Sequence, residues 1–223
     1  QQGNIIGIGA YGFGSTGHVR VFENISSNWI QMGSDIIGTG GSQTGYSISL
    51  SNDGLTIAVS NANSTPSVDI YSFYSGAWNQ IGQTINGFLN TSIVSLSNSG
   101  DTIVIGSSLT YNSPTNPGGP LRVFVYDGSQ WNQIGGNLFG ISPSDDFGYS
   151  VSINNNGNII AGGAPYNDLN GIDAGCVRVF NYDGTNWFQI GQDILGEAAD
   201  DNFGWSVSLN SIGNIIAIGA PNN

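Results

Sequence analysis

The 223-residue chain contains 15 acidic residues, three arginines and no lysine, which gives a formal net charge of −12 at pH 7. A chain this acidic cannot neutralise phosphates, so nucleic-acid binding is excluded, and anionic membrane surfaces repel it. Hydrophobic residues make up 39% of the chain but form no stretch of membrane-spanning length, so we expect a folded core and no membrane insertion.

One pattern occurs four times along the chain. In each copy a tryptophan lies ten residues after the first apolar residue of a strand-like run, and successive tryptophans are 49, 53 and 56 residues apart. Repeats of this length are typical of propellers, solenoids and other arrays. The repeated tryptophans, expected to pack between or within repeats because an indole buries a large area, are Trp29, Trp78, Trp131 and Trp187.

Each copy contains four runs that predict short strands, which we term A to D. In the last complete copy they cover residues 149–153, 158–161, 177–180 and 187–190. Strands A and C alternate apolar with polar residues, as half-buried strands do, whereas strand B is almost continuously apolar. Asn-Gly and Asp-Gly pairs between the runs indicate tight hairpins. We therefore predict an all-β fold.

Four antiparallel strands per repeat match the blade of a β-propeller, with strand A innermost and strand D outermost. We expect four to five blades, with strands B to D in residues 1–43, complete blades in 44–90, 91–146 and 147–202, and strands A and B in 203–223. Because the terminal blades are incomplete, we expect a piece of a larger propeller or array, or edge-to-edge pairing with other chains.

The three arginines share one repeat position on strand C, where the second copy has Asp69 instead. Identical placement in repeats indicates a structural role, and we expect each guanidinium to pair with a carboxylate or carbonyl of a neighbouring strand. These residues are Arg20, Arg122 and Arg178.

Loop lengths predict which face of the propeller binds a ligand. The A–B and C–D spacings are constant, whereas the B–C and D–A spacings vary, and in an up-and-down blade these variable loops emerge on one face. We expect a protein or glycan ligand there, with Tyr11 and Tyr166 as candidates for stacking on a sugar ring. The acidic residues Asp168, Asp173 and Glu197 are expected on the same face.

Four further acids of the D–A loops are weak candidates for a hard cation such as calcium, although a solvated acidic rim is the favoured explanation because no regular ligand spacing appears. They are Asp145, Asp146, Asp200 and Asp201. We expect no resident cofactor. Three glycosylation sequons begin at Asn24, Asn63 and Asn90, and their expected loop positions make them usable in a secretory pathway.

The strings Phe203-Gly204-Trp205-Ser206 and Gly219-Ala220-Pro221, repeated as Phe147-Gly148-Tyr149-Ser150 and Gly163-Ala164-Pro165, resemble the FG-GAP repeat of integrin-α-type propellers. The resemblance implies an extracellular adhesion or binding module. It also implies calcium bound through Asp-x-Asp-x-Asp-Gly loops between strands A and B. The turn at Asn52 and Asp53 lacks these carboxylates, as do its counterparts, so we predict no such calcium site.

Catalytic groups are scarce. The single histidine, His18, and the single cysteine, Cys176, cannot form a Ser-His-Asp set, a Cys-His pair or a zinc site, so we expect no enzyme. The favoured function is a non-catalytic extracellular module on a cell or virion surface that serves adhesion, protein binding or filament assembly. The alternative is a glycan-binding, lectin-like propeller, and a hydrolase is the third possibility.

Overall fold

The computed structural model describes residues 3–88, 92–107, 119–142 and 144–223. Throughout these ranges the protein is all β, with antiparallel sheets that we number blades 1 to 5 along the chain. Among the described residues, no helix reaches the length and hydrophobicity that crossing a bilayer requires. The all-β propeller prediction is confirmed.

The strands are given by blade. Blade 1 contains β1 (Ile5–Ala10), β2 (His18–Ile25), β3 (Asn28–Gln31) and β4 (Ile36–Ile37). Blade 2 contains β5 (Thr44–Leu50), β6 (Thr56–Asn61), β7 (Ser67–Tyr74) and β8 (Ala77–Gln80). Blade 3 contains β9 (Ser92–Leu96), β10 (Thr102–Ser107), β11 (Leu121–Tyr126) and β12 (Trp131–Gln133). Blade 4 contains β13 (Ser150–Ile153), β14 (Ile159–Ala164), β15 (Cys176–Tyr182), β16 (Trp187–Gln189) and β17 (Ile194–Leu195), and blade 5 contains β18 (Ser206–Leu209) and β19 (Ile216–Gly219).

Strand order follows the predicted A-B-C-D sequence. Blade 2 runs β5-β6-β7-β8, blade 3 runs β9 to β12 and blade 4 runs β13 to β16 in the same sense. The A strands β5, β9, β13 and β18 contact one another in succession, as innermost strands around an axis do. In the described residues, β1 pairs only with β2 and β19 only with β18, so each has one edge without a strand partner.

A further pairing was not predicted. After strand D the chain returns to the beginning of strand C, where β4 pairs with β2 and β17 pairs with β15. Single bridges from Ile85 to Val68 and from Leu138 to Leu121 do the same in blades 2 and 3. An apolar residue seven positions after each repeat tryptophan pairs with strand C and thereby positions the first part of every D–A loop.

The hydrophobic core lies between blades. One cluster joins Val68 and Ile70 of blade 2 to Ile103 and Trp131 of blade 3, and the next joins blade 3 to blade 4. Each blade therefore buries apolar residues against its neighbours. A single four-stranded sheet would leave these residues exposed, so it is not stable alone.

Three of the repeat tryptophans attach one blade to the preceding one. The indole Nε1 donates to a carbonyl just after strand D of that blade: Trp78 to Met32 at 2.8 Å, Trp131 to Ile81 at 3.1 Å and Trp187 to Ile134 at 3.2 Å. The expectation of burial is wrong for Trp29, which is 46% exposed, because no blade of the described chain precedes blade 1 to cover it.

The arginines contact a carboxylate or a carbonyl as expected, but the expectation that the partner lies on a neighbouring strand is wrong. Arg20 forms an ion pair with Asp35 at 2.9 Å, and Arg178 forms one with Asp193 at 3.1 Å. Arg122 instead donates to the carbonyl of Gly87 in the preceding blade. In all three cases the partner lies in a D–A loop, so the guanidinium holds a variable loop against a constant strand.

The A–B turns form a second inter-blade contact on the opposite face. Backbone hydrogen bonds join the turns of neighbouring blades, from Asn52 to Asn98, from Asn98 to Asn155 and from Asn155 to Ser211. Gly157 in this ladder has a φ of +73°, and a Cβ there would lie 2.8 Å from Thr102, so the turn requires glycine. This close packing explains the constant A–B spacing in the sequence.

Candidate functional site

The candidate site lies where the A strands begin, beside the variable loops. The residue that follows the strand-A glycine is aromatic in blades 2, 4 and 5, as Tyr46, Tyr149 and Trp205. The glycines are required because the backbone there has positive φ, +96° at Gly148 and +94° at Gly204. In each of these three blades, one aromatic side chain directly follows the glycine at the same end of strand A.

Two of these rings and Tyr166, from the B–C loop of blade 4, form an aromatic cluster, which we define as Tyr149, Tyr166 and Trp205. The ring centroids of Tyr149 and Trp205 are 4.7 Å apart, and Tyr166 meets them edge-on at 6.3 and 6.5 Å. Trp205 is 39% exposed, whereas Tyr149 and Tyr166 are half-buried. The cluster therefore contains a partly exposed indole that is in contact with two phenol rings.

The second tyrosine predicted to stack on sugars forms a separate pair. Tyr11 meets Tyr46 edge-on with centroids 5.3 Å apart. The pKa of Tyr149 is raised by burial first and then by Tyr166, Tyr46 and Asp146. Sequence reasoning selected Tyr166 and Tyr11 but missed Tyr46, Tyr149 and Trp205, although the shared repeat position after Gly was a usable signal.

Two carboxylates flank the cluster. The pKa of Tyr166 is raised by burial first and then by the negative charges of Asp146 and Asp173. Asp173 and Asp146 both hold positive φ, +53° and +54°, in the loops that surround the rings. Asp146 is 8% exposed, whereas Asp173 is partly exposed and can accept a hydrogen bond from a hydroxyl-bearing ring that packs on the indole.

Two of the predicted metal candidates organise their own loops. Asp145 is 1% exposed, and its Oδ2 accepts hydrogen bonds from the backbone of Ile141 and Ser142 and from Asn167 Nδ2. Asp201, at the same repeat position in the next loop, is 6% exposed and accepts from the backbone of Ala198. Both side chains are turned into the protein, since they satisfy backbone donors of the D–A loop.

The burial of Asp145 predicts a pH effect on stability. Burial raises the pKa of this carboxyl above its ordinary value, despite the hydrogen bonds from Asn167 and Ser142 that lower it. Because the folded state then holds the proton more tightly, the contribution of Asp145 to stability is complete below the unfolded pKa of about 3.9 and is lost as the pH rises through the folded pKa. We expect Asp145→Asn to flatten this decline in urea-unfolding profiles measured across acidic pH.

Asp183→Asn is the matched control, because the contribution of Asp183 to stability changes with pH in the opposite direction. Backbone amides of Asn186 and Thr185 lower the pKa of Asp183, so its contribution is present above the unfolded pKa and is lost as the pH falls through the folded one. If Asp145→Asn leaves the slope of the pH profile unchanged, the assignment of the effect to Asp145 is wrong.

The remaining acids lie at or near the surface of the same loops. Asp168 Oδ1 accepts from the backbone of Asp173, and the pKa of Asp173 is raised by burial first and then by Asp168 and Asp200. Glu197 is exposed, and its carbonyl accepts from Asn170. Within the described ranges, no three acidic, histidine or cysteine side chains converge as metal ligands would.

The sequons have three different surroundings. Asn24 lies within strand β2 rather than in a loop, so the expected loop position is wrong there; strand C extends beyond the predicted run and includes it. Asn63 lies in the B–C loop of blade 2, where its Oδ1 accepts from the backbone of Thr65. Asn90 lies outside the described residues.

The histidine and the cysteine are both buried. His18 is 9% exposed and meets the ring of Phe13 edge-on, with centroids 4.6 Å apart. Cys176 is 1% exposed, and burial raises the pKa of its thiol to about 12, so the reactive thiolate is not formed at neutral pH.

Comparison with known proteins supports the fold. No family model matches the chain, and no curated protein matches it in sequence. Among solved structures it resembles a provisionally named 6-phosphogluconolactonase from Bacteroides uniformis (TM-score 0.58, 13% identity, 90% of this chain and 51% of that one). A similar protein from Bacteroides fragilis has a TM-score of 0.55 at 14% identity over 83% of this chain and 54% of its own. A nidogen–laminin complex has a TM-score of 0.54 at 13% identity over 96% of this chain and 69% of its own.

These likenesses correct one prediction. The expectation that the protein is no enzyme is wrong, because two of the similar structures carry the name of an enzyme. The scarcity of histidine and cysteine therefore does not exclude catalysis on this scaffold. The resemblance to FG-GAP repeats stays a prediction. The chain spans about half the length of the Bacteroides proteins, and at 13–14% identity the likeness shows that this chain has a β-propeller-like fold.

Proposed function

We propose that this propeller binds a glycan through the aromatic cluster. The observation that supports the proposal is the meeting of Tyr149, Tyr166 and Trp205 within 6.5 Å of one another at the variable-loop end of the A strands. Packing of a sugar ring on the exposed part of the Trp205 indole would bury apolar area. The carboxylate of Asp173, which is partly exposed, would then accept hydrogen bonds from the hydroxyl groups of the sugar.

The acidic charge of the protein favours a neutral sugar over an anionic one. With a net charge of −12, the field around the loops repels sulfated or sialylated ligands. Glycans are abundant on cell surfaces, so this function agrees with an extracellular location, which we propose with it.

A fluorescence titration tests the proposal, with a glycan array supplying the neutral oligosaccharide. Binding should change the tryptophan emission in a saturable way, and Trp205→Phe should remove most of that change. Tyr166→Ala should weaken binding by about tenfold, since an aromatic pair is worth about 0.5–1.5 kcal/mol beyond its area.

The matched control is Trp29→Phe, because Trp29 is also exposed, at 46%, but lies on strand D of blade 1. This variant should keep the ligand-induced change. Loss of that change in Trp29→Phe, or unaltered affinity in Tyr166→Ala, would contradict glycan binding at the cluster.

Protein binding in adhesion or assembly is the second candidate. It is favoured by two exposed apolar side chains in the B–C loop of blade 4, Leu169 at 54% and Ile172 at 72% exposure, which resemble the apolar centre of an interface. Adhesion of protein-coated beads to cells that persists with Trp205→Phe would favour this candidate over the glycan.

A further inference from the structure

The arginine position of strand C has a consistent environment in blades 3 and 4. Arg178 donates to the carbonyl of Phe139 in the preceding blade at 2.9 Å, and its guanidinium lies 5.4 Å from the centre of the Phe180 ring. Arg122 reaches the carbonyl of Gly87 in the preceding blade and lies 4.3 Å from the centre of the Phe88 ring. In these blades a guanidinium thus lies between a D–A loop carbonyl of one blade and an aromatic ring.

Blade 2 reverses the charge at this position. Asp69 of β7 replaces the arginine, and Thr84 replaces the acid that pairs with it in blades 1 and 4, Asp35 and Asp193. Asn61 replaces the alanine that ends strand B in those blades. Together these changes remove the carboxylate that pairs with a cation at the arginine position and supply hydrogen-bond donors to an anion there.

The Asp69 carboxylate is held by neutral donors. Its Oδ1 accepts from the Thr84 hydroxyl at 2.6 Å and from Gln80 at 3.2 Å, and its Oδ2 accepts from Asn61 at 2.8 Å. Among the described residues the ion pairs are those of Arg20 and Arg178, so no cation of this part of the chain neutralises Asp69. A carboxylate accepts but cannot donate, so Asp69 cannot bond to loop carbonyls as the arginines do.

The space beside Asp69 is open. A cavity of about 300 Å³ lies between blades 1 and 2, with Ile37, Gly38 and Thr39 of the first D–A loop on one side and Asp69 and Tyr71 on the other. This volume is at the lower end of the range for small-molecule sites. The loop residues Ile37 and Gly38 correspond in the repeat to Phe139 and Gly87, whose carbonyls accept from the arginines of blades 3 and 4.

The aromatic ring of the arginine site is also kept. Tyr71 follows Asp69 by two residues, as Phe180 follows Arg178, and it lines the cavity. Burial, followed by the charge of Asp69, raises the pKa of Tyr71 to about 12, so the ring stays neutral at physiological pH. The cavity therefore combines a carboxylate, an aromatic ring and a loop from the neighbouring blade around a space that a guanidinium fills elsewhere in the repeat.

We propose that the cleft between blades 1 and 2 binds a guanidinium group supplied by another molecule, which occupies the place of the missing repeat arginine. A guanidinium fits better than an ammonium group because it is planar, stacks on the Tyr71 ring and forms paired hydrogen bonds with a carboxylate. The source is an arginine side chain of a partner protein or a free arginine derivative. A second cavity of about 230 Å³ shares Ile37 and Tyr71 with the first and leaves room for the group that bears the guanidinium.

Binding of Nα-acetyl-L-arginine amide, followed by calorimetry, tests the proposal. Saturable binding is expected, with about tenfold weaker affinity for Asp69→Asn, because that change removes the charge from the strongest hydrogen bond. The double variant Asp69→Arg, Thr84→Asp restores the arginine–aspartate pair of blade 1 and should abolish binding. Its thermal unfolding midpoint should be no lower than that of the unaltered protein.

Control ligands separate charge from shape. The corresponding citrulline amide is neutral and nearly isosteric, and it should not bind; the lysine amide should bind at least several-fold more weakly. Tighter binding of an arginine-containing peptide than of the amide identifies a partner protein as the source, and equal binding identifies a free arginine derivative. The proposal is overturned by absence of binding, by equal binding of the citrulline or lysine amide, or by unchanged affinity in Asp69→Asn. The Asp69→Asn variant decides the question even if the double variant does not fold.

Discussion

Replacement of Phe147 by alanine is expected to lower the free energy of unfolding by about 3–5 kcal/mol, the usual cost of deleting a fully buried phenylalanine. Phe147 is 0% exposed and belongs to the cluster that joins blades 3 and 4, where its ring centroid lies 6.3 Å from that of Phe180. The surroundings cannot collapse easily, because a Cβ at Gly162 would lie only 2.8 Å from the ring. The cavity left by the ring should therefore persist and add to the cost.

Urea unfolding followed by tryptophan fluorescence measures this effect. Phe188→Ala is the matched control, since Phe188 lies on strand D of the same blade but is 54% exposed, and its removal should change stability by about 0.5 kcal/mol or less. Equal effects of the two substitutions would show that Phe147 does not join the blades as described.

Replacement of Gly163 by valine is expected to destabilise the protein by about 3 kcal/mol, at the upper end of the cost of overpacking. A Cβ at Gly163 would lie 2.0 Å from the carbonyl oxygen of Gly204 and 2.4 Å from Ser150 Oγ. Gly204 belongs to the backbone of the next blade, so relief requires the two blades to separate rather than a side chain to rotate. The exposed part of the aromatic cluster, Trp205, follows Gly204 directly, so its fluorescence should also change.

Gly136→Val is the control for this substitution. A Cβ at Gly136 would have no atom within 4 Å, and its φ is not positive, so a side chain is tolerated there. We expect a change of about 0.5 kcal/mol or less by thermal or urea unfolding. A Gly163→Val protein as stable as the Gly136→Val protein would show that the blades do not approach as closely as the geometry requires.

The strands could be predicted from the sequence because their pattern depends on near neighbours. Residues 177–180 were assigned to strand C from alternation alone, and the observed strand is Cys176–Tyr182. The extra pairing of Ile194 with Val177 was missed because a two-residue strand has no periodicity of its own. It forms only when the D–A loop meets a strand already in place.

The candidate site could be predicted in part. Tyr166 was selected from its loop, but its partners Tyr149 and Trp205 directly precede the A strands of two blades and lie 56 residues apart in sequence. Asp145 was grouped with surface acids because a cluster of carboxylates in a loop usually faces solvent. The loop instead folds around it, since its carboxylate satisfies the amides of Ile141 and Ser142.

The repeated pattern is enough to predict the all-β class, the A-B-C-D order and the position of one tryptophan per blade, because each of these properties is local to one repeat. Which copies of a repeated residue have a neighbour depends instead on the packing of the blades. Trp187 is buried by blade 3, whereas Trp29 is exposed, and Asp69 faces a cavity where Arg122 and Arg178 reach the loop of the preceding blade. Burial, charge pairing and cavities arise between blades. The pattern of one repeat therefore does not predict them, because they depend on how two repeats pack against each other.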